Sequence, residues 1–470
     1  MTVAATLDDI PDAELDRLAG MGFDWIWLLS VWQTGPAAQR ISRSNQQWRR
    51  EFEETLPDLR EEDIAGSGFA ITGYTVHRDL GGDAALARLR ARLRQRGLRL
   101  MLDFVPNHMA PDHPWIDEHP DYFVHGSEAD LARSPRNYCR VKTKNGPLLL
   151  AYGRDPYFDG WPDTLQLNYG NPELQQAMIG ELERIAGQCD GVRCDMAMLV
   201  LPDVFERTWG IRADLFWPKA IESVRRKHPD FLFMAEVYWD MEWTLQQQGF
   251  DYTYDKRLVR PAARASRPPR ARALLRGHGL IKTSLPAFWR TTTSRGRQRR
   301  LRPQCTQRPR SLTYLSPGLR FFHQGQFEGR RTRISPHLVR GPNEPVDDQL
   351  AQFYARLLAV LRQPMVRDGR WSLLECVPVW HDNATSDNFI AFRWERNPRE
   401  WLCVVVNYSP QQSQCFVRMP FPELAGRTVR FQDLLGPDCY DRPGDDLLSR
   451  GLFVDIPAWG YHVFDVQWLA

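Results

Sequence analysis

Short runs of unbroken hydrophobicity alternate with longer amphipathic stretches through most of this chain. Residues 11–19 carry Leu15 and Leu18 at helical spacing, Gly20 and Gly22 interrupt them, and 23–31 follow as a nearly continuous apolar run. The cycle returns: 83–95 predicts a helix with an arginine-rich outer face, Gly97 stops it, and 98–105 predicts a strand. Further helices are predicted at 172–188, within 203–227 and at 347–362, and further strands at 191–196, 231–237 and 319–322. Apolar runs without alternation suit strands covered on both faces, the condition of a parallel sheet. Strand alternating with helix over some two-thirds of a chain predicts a parallel α/β barrel or a doubly wound sheet.

Two stretches break the cycle. Residues 109–170 are aromatic and proline-rich and too long for an ordinary βα loop, so they predict an inserted subdomain. Beyond Gln363 short strands are predicted at 388–395, 401–408, 414–419, 428–434 and 460–466, with turn residues between them, as in an antiparallel β-sandwich. The predicted division is a barrel domain over 1–365 and a C-terminal β-domain over 366–470. No internal repeat interrupts this order.

Composition adds exclusions. Hydrophobic content of 43% with 25% charged residues is globular. No apolar run nears the roughly 18 residues of a membrane helix, and residues 1–10, with Asp8 and Asp9, lack the apolar core of a signal peptide. Eight cysteines without a CxxC pair, and no histidines at metal spacing, fit a reducing compartment, so a soluble cytoplasmic protein is expected. The net charge of +3 conceals a division: residues 259–310 hold 14 Arg and one Lys with no Asp or Glu. Without them 46 basic face 58 acidic residues, a net charge of −12. This stretch has neither helical nor strand periodicity. Basic charge without interleaved aromatics supports only non-specific, salt-sensitive binding, so no nucleic-acid partner is expected.

Chemistry concentrates where predicted strands end. Asp103, Arg193 with Asp195, and Glu236 each fall at the C-terminal edge of an apolar run, the edge where barrel enzymes keep their reactive groups. Strand alternation puts Arg193 and Asp195 on one face, and a guanidinium beside a carboxyl favours the ionised form that a nucleophile needs. Glu236 follows the wholly apolar 231–235, so desolvation is expected to push it toward a general acid. Such a pair suits glycoside hydrolysis, with carboxyls about 5–5.5 Å apart where configuration is retained. Singly, each residue has a plainer reading: a strand-end Asp is commonly a helix cap, Glu236 could simply pair with Arg193, and His108, Tyr74, Trp115, Tyr157, Trp161 and Trp239 could be packing.

In combination these residues resemble the α-amylase family of glycoside hydrolases. Gly22-Phe23-Asp24-Trp25-Ile26-Trp27-Leu28 looks like the family's second barrel strand, and Gly73-Tyr74 matches the segment whose tyrosine stacks on the sugar. Asp103 with Asn107-His108 is similar to the first conserved region, and Gly191-x-Arg193-x-Asp195 to the second. Leu165-Gln166-Leu167-Asn168 resembles the motif closing the inserted domain, with Gln166 where the family has Asp, and 317–325 is like the eighth strand. The likeness spans 7–256 and 311–470 in family order. It implies a (β/α)8 TIM barrel as the catalytic domain and a retaining enzyme for α-glucosides or α-glucans. Asp195 would be the nucleophile and Glu236 the acid/base, with Tyr74, Asp103, His108 and Arg193 binding the sugar. Transfer to another sugar is a variant of the same mechanism. No cofactor is required; calcium near Asn107 is a family trait whose other ligands are not legible here.

The chain departs from the family in one region. The third carboxylate belongs to an Asn-His-Asp triplet on the seventh strand, commonly within Phe-Leu-Glu-Asn-His-Asp-Glu-Pro. Here Phe288 is followed by Trp289-Arg290-Thr291-Thr292-Thr293-Ser294-Arg295. Codons CTG GAG AAC CAC GAC GAG CCG encode Leu-Glu-Asn-His-Asp-Glu-Pro; read from the second base, TGG AGA ACC ACG ACG AGC CG- encodes the seven residues found. We read 259–310 as a frame-shifted stretch with frame restored near Ser311; a genuine basic linker is the alternative. The third carboxylate then falls on Thr293, and loss of one preorganised electrostatic partner costs roughly 3–4 kcal/mol of transition-state stabilisation. The expectation is an incomplete barrel whose seventh strand is lost and whose basic segment packs loosely, with catalysis impaired or absent. The first strand is also in question, because only residues 1–10 precede the first helix and 2–5 would make a poor strand.

Overall fold

Four of the apolar runs form parallel strands, and a short fifth that the pattern did not predict joins them: β1 (Trp25–Trp27), β2 (Arg99–Phe104), β3 (Gly191–Cys194), β4 (Leu232–Ala235) and β5 (Tyr252–Thr253). The computed structural model describes residues 5–254 and 314–469. The strands pair in chain order, each parallel to the next. A doubly wound sheet reverses its strand order at a switch point. No reversal occurs among these five, and the one-way winding is that of a barrel wall. The anticipated first strand at 2–5 falls mostly on residues outside those described, as do the whole of 259–310 and Thr293.

Helices α1 (Asp12–Gly20), α2 (Gly82–Arg94), α3 (Pro172–Gln188) and α4 (Trp217–Lys227) precede β1 to β4 in turn. In α3 the Asn171 side chain accepts from Glu173 N–H and Pro172 opens the first turn, while Leu174, Met178, Leu182 and Ile185 face inward at helical spacing. The predicted helical stretch 203–227 divides in two, because Gly210 turns left-handed (φ 69°) after Pro202–Trp209.

One device recurs at the N-terminal ends of the strands. Asp190, just before β3, accepts from Leu100 N–H of β2 at 2.9 Å and from Arg90 of α2 at 2.7 Å. Asp251, just before β5, accepts from Phe233 N–H of β4 and from Arg225 of α4, each at 2.8 Å. An aspartate thus closes the open end of the neighbouring strand and ties down the helix that precedes that neighbour.

Two expectations are corrected. The run 23–31 yields only three strand residues, since Ser30 adopts φ 48° and sends its N–H to Asp103 instead of a ladder partner. Among the described residues, 319–322 keep only one bridging residue, Arg320, instead of a strand; Arg320 also donates to Tyr314 O at 2.7 Å and Val366 O at 3.1 Å, and Phe322 stacks on Tyr314 at 4.3 Å.

The inserted stretch contains the hairpin Tyr138–Thr143 with Gly146–Ala151, and its end returns to the barrel as Leu165–Gln166 paired antiparallel with His108–Met109. Among the described residues the chain forms two compact units, one of 5–254 with 331–344 and the other of 314–330 with 345–469. Helix Asp348–Leu361 therefore belongs with the second unit. That unit also holds two antiparallel sheets. Six strands run in the order Arg370–Leu374, Phe389–Asn397, Glu400–Asn407, Tyr461–Leu469, Thr428–Asp433 and Cys439–Pro443, and three more make the second sheet. No helix among the described residues is long and apolar enough to cross a membrane.

Candidate active site

Parallel register brings the strand-end residues together. Asp103 of β2 and Met234 of β4 are the Cα partners of Arg193 in β3, while Asp195 and Glu236 each stand one step beyond their strands. Arg193 is 1% exposed and divides its guanidinium among three carboxyls that are also buried. Nη1 donates to Asp103 at 3.1 Å and Asp195 at 2.7 Å, and Nη2 donates to Glu236. Nε donates to the hydroxyl of Tyr254 at 3.1 Å. Burial alone would favour loss of the arginine's charge, but Glu236, Tyr254, Asp195 and Asp103 hold it firmly protonated.

Three carboxyls sharing one guanidinium cannot all ionise cheaply in a buried place. Burial raises Asp195 to about 7 despite Arg193, and Glu236 and Asp103 push it the same way. Burial also raises Asp103, against Arg193, the Ser30 N–H and the Trp27 indole. The expected ionising effect of Arg193 on Asp195 is therefore real but outweighed. Glu236 is desolvated as anticipated, yet its oxygens also accept from Arg193, from Met196 N–H at 3.2 Å and from the Tyr238 hydroxyl at 2.5 Å.

The backbone leaves regular geometry directly after Asp195 and again three residues beyond Glu236. Met196 follows Asp195 at φ 43°, and Trp239 and Asp240 follow Glu236 at φ 63° each. Left-handed conformations are costly for such side chains and gather at functional sites. The turn at Met196 is what aims its N–H at Glu236. Trp239 meets Tyr157 of the inserted stretch edge-on at 5.1 Å.

The remaining predicted residues lie on the same edge. His108 is buried beside Asn107, whose amide approaches Nδ1 at 3.3 Å, and desolvation lowers its pKa to about 4, so it is neutral at pH 7. Trp161 stands edge-on to it at 5.3 Å. Tyr74 is placed as a buried brace: its hydroxyl accepts from Val105 N–H at 3.0 Å and donates to Val105 O at 2.9 Å, with Trp32 and Phe104 against its ring. Tyr238 and Tyr254 touch the charged cluster although they carry no motif. Their one legible signal is position, each lying just beyond a strand end.

Among the described residues one group of acids and histidine converges as metal ligands do, Asp433, Asp438 and His462 of the second unit. Beside Asn107 the arrangement differs: Gln166 Nε2 lies 3.0 Å from both Asn107 O and Asn107 Oδ1 and 3.1 Å from Leu167 O.

Comparison with known proteins finds likenesses of family, sequence and structure. The family described as "Alpha amylase, catalytic domain" matches residues 7–259. The alpha-1,4-glucan:maltose-1-phosphate maltosyltransferase of Burkholderia pseudomallei is 28% identical over 260 residues, covering 53% of this chain and 19% of that protein. The alpha-amylase MalA of Haloarcula japonica is 25% identical over 241 residues, covering 50% of this chain and 28% of its own length. The chain thus spans less than a third of either relative. The crystal structure of an alpha-amylase from Lactobacillus plantarum superposes with a TM-score of 0.66 at 20% identity, over 98% of this chain and 95% of that one. The likeness establishes the fold, a TIM barrel with a C-terminal antiparallel β-domain.

Proposed function

From the premise that the chain belongs to the alpha-amylase catalytic-domain family, we propose that it is built as a retaining α-glycosidase for α-glucosides or α-glucans. Asp195 attacks the anomeric carbon, and Glu236 protonates the leaving oxygen and then activates water. Arg193, Asp103 and His108 hold the sugar, and Tyr74 braces the strand end that carries them. The observation that supports this most is the sharing of one guanidinium by Asp195 and Glu236. Retention calls for carboxyls about 5–5.5 Å apart and inversion for about 6.5–9.5 Å. Transfer to a sugar acceptor uses the same residues, and the names of the relatives include a transferase as well as an amylase. The reading includes no nucleic-acid or membrane partner and a cytoplasmic location.

Incubating the full chain with maltooligosaccharides and separating the products by thin-layer chromatography tests it. Shorter products indicate hydrolysis and longer ones transfer. Asp195→Asn and Glu236→Gln are each expected to lower kcat by more than about a thousandfold. Turnover unchanged in both variants would refute the assignment.

One observation favours a second reading, a glucan-binding chain without turnover: the Asn-His-Asp triplet is absent from the sequence. That reading predicts binding of maltooligosaccharide in a calorimeter with no product on the plate.

A further inference from the structure

Gln166 is wholly buried, and its residue partner across the short antiparallel pair is His108. Its amide nitrogen faces three oxygens, Asn107 O, Asn107 Oδ1 and Leu167 O, at 3.0, 3.0 and 3.1 Å. Asn107 O also accepts from Leu167 N–H at 3.1 Å. Three carbonyl dipoles thus direct their negative ends at one atom. The amide oxygen, on the opposite side, has no protein partner. Its orientation follows from the chemistry: turned over, the amide would set oxygen against three oxygens, an arrangement only a cation could hold together.

A calcium ion placed among these atoms, with the amide turned over, would take four oxygens that are all neutral. Calcium takes 6–8 oxygen ligands, and its affinity depends on the charge they carry. The residues beside Asn107 therefore do not fit the calcium that the family resemblance implies. An amide nitrogen, by contrast, satisfies such oxygens without a charge to desolvate.

We infer that the Gln166 amide does the work of a divalent cation, fastening the segment that carries Asn107 and His108 to the end of the inserted stretch without metal. Gln166 is a positioning residue: it touches no reacting atom in the proposed mechanism, and it acts by fixing the chain that follows Asp103. The inference concerns stability and metal content, so it stands or falls separately from the glycosidase reading.

The test uses the full chain, exchanged into EDTA and melted with and without millimolar calcium chloride, with bound calcium measured by atomic emission. The wild type is expected to melt at the same temperature in both and to retain no stoichiometric calcium. Gln166→Glu keeps the shape but sets a carboxylate against the three oxygens; its Tm in EDTA is expected to fall by roughly 5 °C or more, and calcium is expected to restore it. A Tm that falls in EDTA and returns with one bound calcium, in the wild type and equally in an Asp433→Asn variant that breaks the other converging group, overturns the inference, because the amide is then turned over around an ion. A Gln166→Glu chain as stable as wild type in EDTA overturns it as well. Should that variant not fold, the wild-type melts and calcium content decide the matter.

Discussion

Asp195 and Arg193 meet at 2.7 Å, yet the carboxyl sits near 7, because burial and two neighbouring acids oppose a single guanidinium. A folded-state pKa above the unfolded value means that the native protein binds the extra proton between about pH 4 and 7. The penalty for ionising Asp195 is absent below that window and accumulates as pH rises through it. Asp195→Asn removes the titration. Its stability relative to wild type is expected to grow by up to about 1.4 kcal/mol per pH unit between pH 4 and 7, as urea unfolding across that range would show; a constant difference would contradict it. Buried His108 works in the opposite sense, since its pKa of about 4 withdraws stability as pH falls below 6.5. Tyr74→Phe keeps the ring and leaves Val105 N–H and C=O unsatisfied in a buried place, so it is expected to cost about 1–3 kcal/mol. If the residue acts as a brace, melting temperature falls while KM holds. A changed KM at unchanged stability would return Tyr74 to the sugar.

The aspartates before β3 and β5 solve a problem of elements. A parallel strand leaves N–H groups open at its start, and the helix packed outside it can slide along its axis. Asp190 and Asp251 answer both at once, each with a strand amide and a helix arginine. Asp190 is the more enclosed, with its side chain 13% exposed against 37% for Asp251. Charge-assisted hydrogen bonds in such places contribute about 1.5–3 kcal/mol, and exposed pairs less than about 1. Asp190→Ala is therefore expected to lower the urea midpoint clearly more than Asp251→Ala does. Equal effects would show that exposure does not govern the device.

The whole molecule joins a family barrel to a stretch of foreign composition. The family match ends at residue 259, where the arginine-rich sequence begins. On the frame-shift reading, the original frame carries Asn-His-Asp at 291–293, and with it a third carboxylate. A gene rebuilt in that frame is expected to encode a chain that turns over maltooligosaccharide roughly 10²–10³ times faster than the present one. A rebuilt chain no faster than the original would mean that the missing acid is not what limits it. Sequencing the genomic DNA across this interval checks the frame itself, which compensating indels would confirm and their absence would refute.

Hydrophobic period and strand-end acids were legible because both are local. Apolar runs bounded by glycine specify the buried strands β2 and β3, and α3 runs from 172 to 188 as its pattern predicts. Asp103, Arg193, Asp195 and Glu236 could be named together because each ends such a run. What local pattern cannot hold is the sum of charges that parallel register brings into one buried volume. Arg193 favours ionised Asp195 when the two are read alone; burial above all, with Glu236 and Asp103 on the same guanidinium, reverses the balance. Tyr238, Tyr254 and Gln166 escaped for the same reason, since a hydroxyl or amide has meaning only through the atoms it faces. Desolvation and hydrogen bonding depend on everything within a few ångströms, and that neighbourhood is decided by the tertiary fold.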